Sequence, residues 1–179
     1  MQCGAGPFAV EPEEGMEPPG SQRALADDLR FFHKHIGLGG VIRRLDHVLV
    51  LYRHHGGQLS NTTPASLLRK VRARAFEERV LRSWPRFSVW GAGRDAKAFM
   101  ACLSGRSQRK VAAIAEINPA KIGTMFESAA LNVRAPIVHW REVPAPVVVC
   151  VARGRTGGEL EANVRTVGLT EGVDCWFFV

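Results

Sequence analysis

The sequence predicts an α/β fold for the C-terminal half of the chain, on three observations. From Phe87 onward, strand-like apolar runs alternate with helical segments. The runs are continuously apolar, and two of them end in glycine turns. Continuously apolar strands indicate a parallel sheet covered on both faces. We therefore expect residues 86–179 to form one small Rossmann-like domain with a parallel sheet.

The N-terminal segments precede this domain. Residues 1–20 are rich in Pro, Gly and Glu, which predicts a disordered leader. A helix is expected from Ser21 to about Ile36, because apolar residues recur there at spacings of four and three. Short β-like runs at 41–42 and 48–52 are expected to pair or lie side by side.

A basic helix connects these segments to the α/β domain. Thr63 and Pro64 predict its N-cap and first turn, and Pro85 prevents its continuation. We therefore expect residues 61–85 to form a linking helix.

Within the α/β domain the pattern alternates regularly. The expected elements are strand 87–90, helix 94–103, strand 111–115, strand 137–139, strand 147–152, a helix at about 158–167 and strand 175–179.

The first glycine turn has the pattern of a phosphate-binding turn. Gly91 permits a tight turn after the strand, and Gly93 lets backbone N–H groups approach a diphosphate. Arg94 follows directly, and its guanidinium suits phosphate oxygens. Glu116 ends the next strand, about where such folds place a ribose-binding acid. The alternative interpretation is a glycine turn that serves packing only.

The second glycine turn consists of Thr156, Gly157 and Gly158. Both turns follow apolar strands, so both should open at the carboxyl edge of the sheet, where ligands bind in open α/β folds. Arg153 and Arg155 flank this turn and are either phosphate contacts or ordinary surface arginines. The two turns together predict a nucleotide-binding site.

The charge of the chain is unevenly distributed. The net charge is +7, and residues 41–110 carry fifteen basic against four acidic side chains. A basic middle segment suits a polyanion such as nucleic acid or a nucleotide, whereas the plainer interpretation is a solvated helix face.

Cysteine spacing and hydropathy restrict the class of protein. The four cysteines are far apart and form no Cys-x-x-Cys pair, which predicts reduced thiols and disfavours zinc or a disulfide scaffold. No apolar run approaches the roughly 20 residues of a membrane span. The N-terminus is acidic rather than basic-then-apolar. We therefore expect a cytoplasmic protein with no membrane contact.

Candidates for chemistry lie in the segment 21–60. Asp27 and Asp28 form an acidic pair near a helix start, where one carboxylate suits a general base, although such acids are also favoured by the helix dipole. Arg53, His54 and His55 follow an apolar run and suit a diphosphate or its metal. Because adjacent strand residues point to opposite faces, only one of the two histidines can face a given site.

Several separated motifs resemble the C-terminal part of family 2 glycosyltransferases with a GT-A fold, over about residues 24–179. The motifs are Asp27-Asp28-Leu29-x-Phe31-Phe32, Gly39-Gly40-Val41-Ile42, Leu51–His55, Val89-Trp90-x-Ala92-Gly93, Ser107–Val111, Pro136–His139, Thr156–Gly158 and Leu169-x-Glu171-Gly172.

The resemblance implies a function for the whole protein. Family 2 enzymes transfer a sugar from a nucleotide sugar to an acceptor hydroxyl, with inversion and usually with Mn²⁺ or Mg²⁺. Asp28 matches the family's general base, and Asp27 replaces a Glu beside it. Arg53, His54 and His55 would lie near the donor diphosphate or its metal. The motifs specifically imply transfer of galactose from UDP-galactose to queuosine in tRNA.

On this resemblance, residues 21–60 are the C-terminal remnant of a GT-A domain. The sequence departs from the family because it contains no Asp-x-Asp motif and no donor-binding units ahead of Asp28. We therefore expect a truncated chain that is inactive alone. The alternatives are a non-catalytic NAD(P)- or UDP-binding module, and a module in which Arg69, Arg72 and Arg79 dock tRNA or a protein. The chain has no Tyr-x-x-x-Lys, which disfavours redox catalysis.

Overall fold

A computed structural model describes residues 26–58, 61 and 63–178. The chain divides into two compact units, Met1–Thr63 and Pro64–Val179. The predicted leader 1–20 and the predicted helix start at Ser21 lie outside the described residues.

In the first unit, the described residues contain one main helix, α1, at Asp27–Gly37. The predicted apolar stripe of this helix stays largely open, with Phe32 47% and Ile36 37% exposed. The two predicted β-like runs are wrong, because the described residues 41–58 form no strand. A strand needs a neighbour to bond its N–H and C=O groups. The apolar side chains of the two runs are exposed instead, with Leu51 at 96%.

The second unit is an α/β domain, as predicted. Its helices are α2 (Ala65–Phe76), α3 (Arg94–Met100), α4 (Gly105–Gln108) and α5 (Glu159–Thr166), and a π-helical turn at Glu77–Leu81 continues α2. Its strands are β1 (Phe87–Trp90), β2 (Val111–Glu116), β3 (Met125–Ser128), β4 (Val133–His139), β5 (Val147–Val149) and β6 (Cys175–Phe177).

The six strands form one sheet in the order β3-β4-β2-β1-β5-β6. All neighbouring pairs are parallel except the antiparallel pair of β3 and β4. The five parallel strands therefore have the doubly wound order in which the chain starts at the centre and then crosses to the other side. The predicted Rossmann-like parallel sheet is confirmed.

The edge hairpin of β3 and β4 differs from the prediction, which placed only a short strand at 137–139. Burial alternates along Val133–His139, so one face of this part of the sheet is solvated and the run is not continuously apolar. Pro136 also interrupts the strand-like pattern, yet it pairs with Met125 across the hairpin.

Both faces of the sheet are covered. On one face, buried side chains of the central strands pack with Phe99 and Met100 of α3 and with Leu81. On the other, Trp90 and Val149 pack with Leu160 and Val164 of α5. Because the central strands are buried on both faces, their sequences are apolar at successive positions.

The basic helix α2 is part of this core rather than a link to it. Ala73 and Leu81 are fully buried. Lys110 Nζ donates to the Leu81 carbonyl at 2.7 Å, which satisfies an end of the helical run. The predicted domain boundary at residue 86 therefore moves to Pro64. The helix itself begins at Ala65, with Pro64 as its N-cap instead of its first residue.

Candidate functional site

The carboxyl ends of β1 and β5 form the switch point of the sheet. These two strands are adjacent and parallel, and the chain leaves them toward opposite sides of the sheet. The loops that follow adjacent strands diverge at such a point and leave a crevice between them, which is the usual ligand site of open α/β sheets. Both predicted glycine turns open at this edge.

A cleft of about 320 Å³ lies at this switch point. Its lining residues are Gly91, Gly93, Arg94, Asp95, Cys150, Val151 and Arg155. We call it the switch-point cleft.

The structure requires glycine at only one of the two glycine positions of the first turn. Gly91 has φ +109°, and a Cβ there would lie 3.0 Å from Val151 Cγ2, so the fold itself requires glycine. Gly93 has φ −90°, which any residue adopts, and a Cβ there would meet nothing within 4 Å. Gly93 is exposed, so neither backbone strain nor packing requires glycine at this position, and the space beside it is open to a ligand.

Charged groups at the cleft are two guanidiniums and one carboxylate. Arg155 Nη1 lies 3.3 Å from Asp95 Oδ2, and Arg94 Nε lies 3.8 Å from Asp95 Oδ1. The cleft therefore carries one net positive charge and an internal anion. Helix α3 has only seven residues instead of the predicted ten, so the charge at the cleft is attributed to these side chains rather than to the helix dipole.

The second glycine turn meets the first across a smaller cleft of about 110 Å³. Gly91 and Val151 line both clefts, and Glu116, Thr156, Glu159 and Asn163 add polar groups to the smaller one.

The conformation of the second turn requires glycine at two positions. Gly157 and Gly158 have φ of +55° and +94°, and α5 begins directly after them. Thr156 Oγ1 donates to the Arg153 carbonyl at 3.2 Å, which ties the hydroxyl to its own loop. Arg153 itself binds Glu171 at 2.6 Å and stacks 3.7 Å from the Phe177 ring centre. Arg155 lines the switch-point cleft, and Arg153 does not.

Glu116 lies at the end of β2, in register with His139 of β4. Its Oε1 accepts the N–H of Ile117 at 2.9 Å and of Asn118 at 3.3 Å, and its Oε2 lies 3.2 Å from Lys121 Nζ. Burial raises the pKa of Glu116, but these hydrogen bonds outweigh burial and hold the pKa below its ordinary value. The carboxylate is already well satisfied, and its predicted role as a ribose ligand stays a prediction.

The acidic pair of the first unit lies at the exposed start of α1. Asp27 and Asp28 occupy the first turn, and Asp28 Oδ1 accepts the N–H of Leu29 at 2.7 Å. Both side chains are open to solvent.

Arg53, His54 and His55 lie in the irregular segment 41–58, so the predicted strand geometry of the two histidines does not apply. His54 Nε2 lies 2.9 Å from Gln58 Nε2, and Asn61 Nδ2 donates to the His55 carbonyl at 3.2 Å. Over residues 26–58, 61 and 63–178, no group of three or more His, Cys, Asp or Glu side chains could hold a metal ion.

Asp95 and a third cleft are functional features that the sequence does not predict. Asp95 gives a weak signal, since an acid in the first turn of a helix is ordinary. The third cleft depends on the β3–β4 hairpin, which the sequence pattern does not predict. It has a volume of about 290 Å³ and is lined partly by Lys97, Lys121 and Phe126.

The fold and the clefts define the second unit as a doubly wound α/β domain whose switch point is open. No protein-family model matches the chain. Among the described residues, no helix is both long and apolar enough to span a membrane.

Proposed function

We propose that residues 64–178 form a non-catalytic nucleotide-binding module, with the diphosphate in the switch-point cleft. The observation that carries the proposal is the open space beside Gly93, in a cleft that the side chains of Arg94 and Arg155 also line. Arginine forks match phosphate oxygens, and the switch point is where doubly wound domains bind such ligands.

The test uses ligand-induced thermal stabilisation, because a ligand that binds only the native state raises the melting temperature by mass action. The purified chain is titrated with pyrophosphate, UDP, UDP-galactose and NAD(H). We expect stabilisation by at least one of the nucleotides and by pyrophosphate. No shift with any of them up to millimolar concentration contradicts the proposal.

A glycine pair makes the test specific. Gly93→Val fills the open space at an unstrained backbone position, so the variant should fold and lose the ligand shift. Gly105→Val is the matched control, because the Cβ there meets only ordinary contacts from 3.6 Å and Gly105 begins α4, ahead of β2. Equal ligand shifts in the two variants would contradict binding beside Gly93.

On the sequence resemblance, we further propose that the chain belongs to a family 2 glycosyltransferase that transfers galactose from UDP-galactose to queuosine in tRNA, with Asp28 as base. The chain lacks an Asp-x-Asp motif, so we propose that it is inactive alone. Exposed apolar side chains such as Val48, at 95%, support the need for further partners of the first unit.

This proposal is tested by incubating the chain with labelled UDP-galactose, Mn²⁺ or Mg²⁺, and tRNA that carries queuosine. We expect no transfer above a blank without protein. Transfer at the rate of an active family 2 enzyme would refute the inactivity. If such transfer were then lost in Asp28→Asn, that loss would identify Asp28 as the general base.

A second candidate function is docking of tRNA by α2. Arg72, Arg79 and Arg82 are exposed along this helical run, whereas Arg69 is half-buried. Phosphate contacts dominate nucleic-acid affinity and make it salt-dependent. Substituting Arg72 and Arg79 by Glu should weaken tRNA binding and reduce its salt dependence. Unchanged binding would identify this surface as a solvated face.

A further inference from the structure

The third cleft lies on the side of α3 that faces the β3–β4 hairpin. Buried Phe126 and Ile137 contribute to its wall, and Lys97 and Lys121 supply its cations. Lys97 Nζ lies 6.0 Å from the Phe126 ring centre, so the ammonium is positioned over an apolar surface. We call this the lysine cleft.

The carboxylates around the lysine cleft are already paired. Glu127, which itself lines the cleft, lies 2.8 Å from Arg134, and Glu116 lies 3.2 Å from Lys121. Across the described residues, no carboxylate forms an ion pair with Lys97. The cleft therefore holds one cation that is not neutralised and a second one that is shared with an acid.

The lysine cleft adjoins the phosphate-binding turn. Ala92 lines it, while the flanking Gly91 and Gly93 line the switch-point cleft. Lys97 is one helical turn from Gly93 and donates its N–H to the Gly93 carbonyl at 3.1 Å. Lys121 contacts Glu116 at the end of β2, where a bound nucleotide places its ribose in such folds.

We propose that the lysine cleft binds a phosphomonoester on the ribose of the nucleotide. This inference rests on the proposed nucleotide-binding function and names its ligand class as ribose-phosphorylated nucleotides. Glu116 accepts two backbone N–H groups and contacts Lys121, so it has little capacity left for a ribose hydroxyl. A phosphate on that hydroxyl would instead pair with the ammonium groups of Lys121 and Lys97. Basic side chains near this position bind a ribose phosphate in other doubly wound folds.

The experiment compares 5′-AMP with 2′,5′-ADP and 3′,5′-ADP by isothermal titration on the full chain. We expect one of the bisphosphates to bind about tenfold more tightly than AMP. Lys97→Gln should reduce this ratio toward one and leave AMP affinity unchanged. Lys70→Gln removes the same charge from an exposed position on α2 and should keep the ratio.

The outcomes separate the two proposals. AMP binding without any gain from the second phosphate overturns the lysine cleft and leaves the switch-point cleft standing. An equal loss in Lys97→Gln and Lys70→Gln also overturns it, because that result reports only net charge. Binding of none of the three adenine nucleotides also overturns the lysine cleft, whereas the switch-point cleft is refuted only if pyrophosphate, UDP, UDP-galactose and NAD(H) all fail to stabilise the chain.

Discussion

Asp95→Asn offers the sharpest test of an anion site at the switch-point cleft. The Asp95 carboxylate lies 3.3 Å from Arg155 and 3.8 Å from Arg94, so it holds the position between the two guanidiniums. A phosphate bound there must share these cations with a like charge. Removing the charge should therefore strengthen phosphate binding, whereas loss of a purely structural acid would not.

The expected size follows from Coulomb's law. A phosphate that contacts both guanidiniums comes within about 5 Å of the carboxylate, and two unit charges at that separation repel by about 3 kcal/mol at an effective dielectric constant of about 20. Arg94 and Arg155 are 85% and 63% exposed, so solvent and salt reduce this to about 1 kcal/mol. Asp95→Asn should bind pyrophosphate about fivefold more tightly.

The assay is isothermal titration with pyrophosphate at low salt with EDTA present. Glu78→Gln is the matched control, because it neutralises an acid paired with an arginine, at 3.1 Å from Arg74, on a helix that does not line the cleft. Both variants should lose at most about 1 kcal/mol of folding stability. Unchanged or weaker pyrophosphate binding in folded Asp95→Asn would refute a phosphate between Arg94 and Arg155.

Three further predictions concern stability and reactivity. Glu116→Gln should lower the free energy of unfolding by about 1 kcal/mol at pH 7. The pKa of Glu116 is lowered in the folded state, so this difference in stability should persist above about pH 5 and vanish as pH falls through the lowered pKa. Denaturant melts in which the two proteins differ equally at all pH values would contradict this prediction. Gly91→Ala should cost about 1–3 kcal/mol, because of its positive φ and the close Val151, and an unchanged melting temperature would contradict this strain. Burial raises the pKa of Cys150, and it raises that of Cys175 to about 11, so neither thiol should react with iodoacetamide at pH 8 until denaturant is added, as peptide mass spectrometry would detect.

Much of the fold was open to prediction because the central strands are buried on both faces. Such strands are apolar at every position, and β1, β2 and β5 were placed to within a few residues. The sequence pattern did not predict the β3–β4 hairpin at the sheet edge, because one face of the hairpin is solvated and Pro136 lies within β4. The runs at 41–42 and 48–52 have strand-like composition, but composition cannot supply the neighbouring strand that a ladder requires.

The sequence by itself determined the α/β class, both glycine turns and the acid after β2, because local patterns of apolar residues and glycine encode them. Only the tertiary structure decided that both turns open at one edge, that Gly91 serves packing while Gly93 faces open space, and that Asp95 lies between two arginines. It also brought Lys97 and Lys121 to one cleft. These relations depend on strand order and on hairpin pairing, which join residues far apart in the chain and leave no local signature.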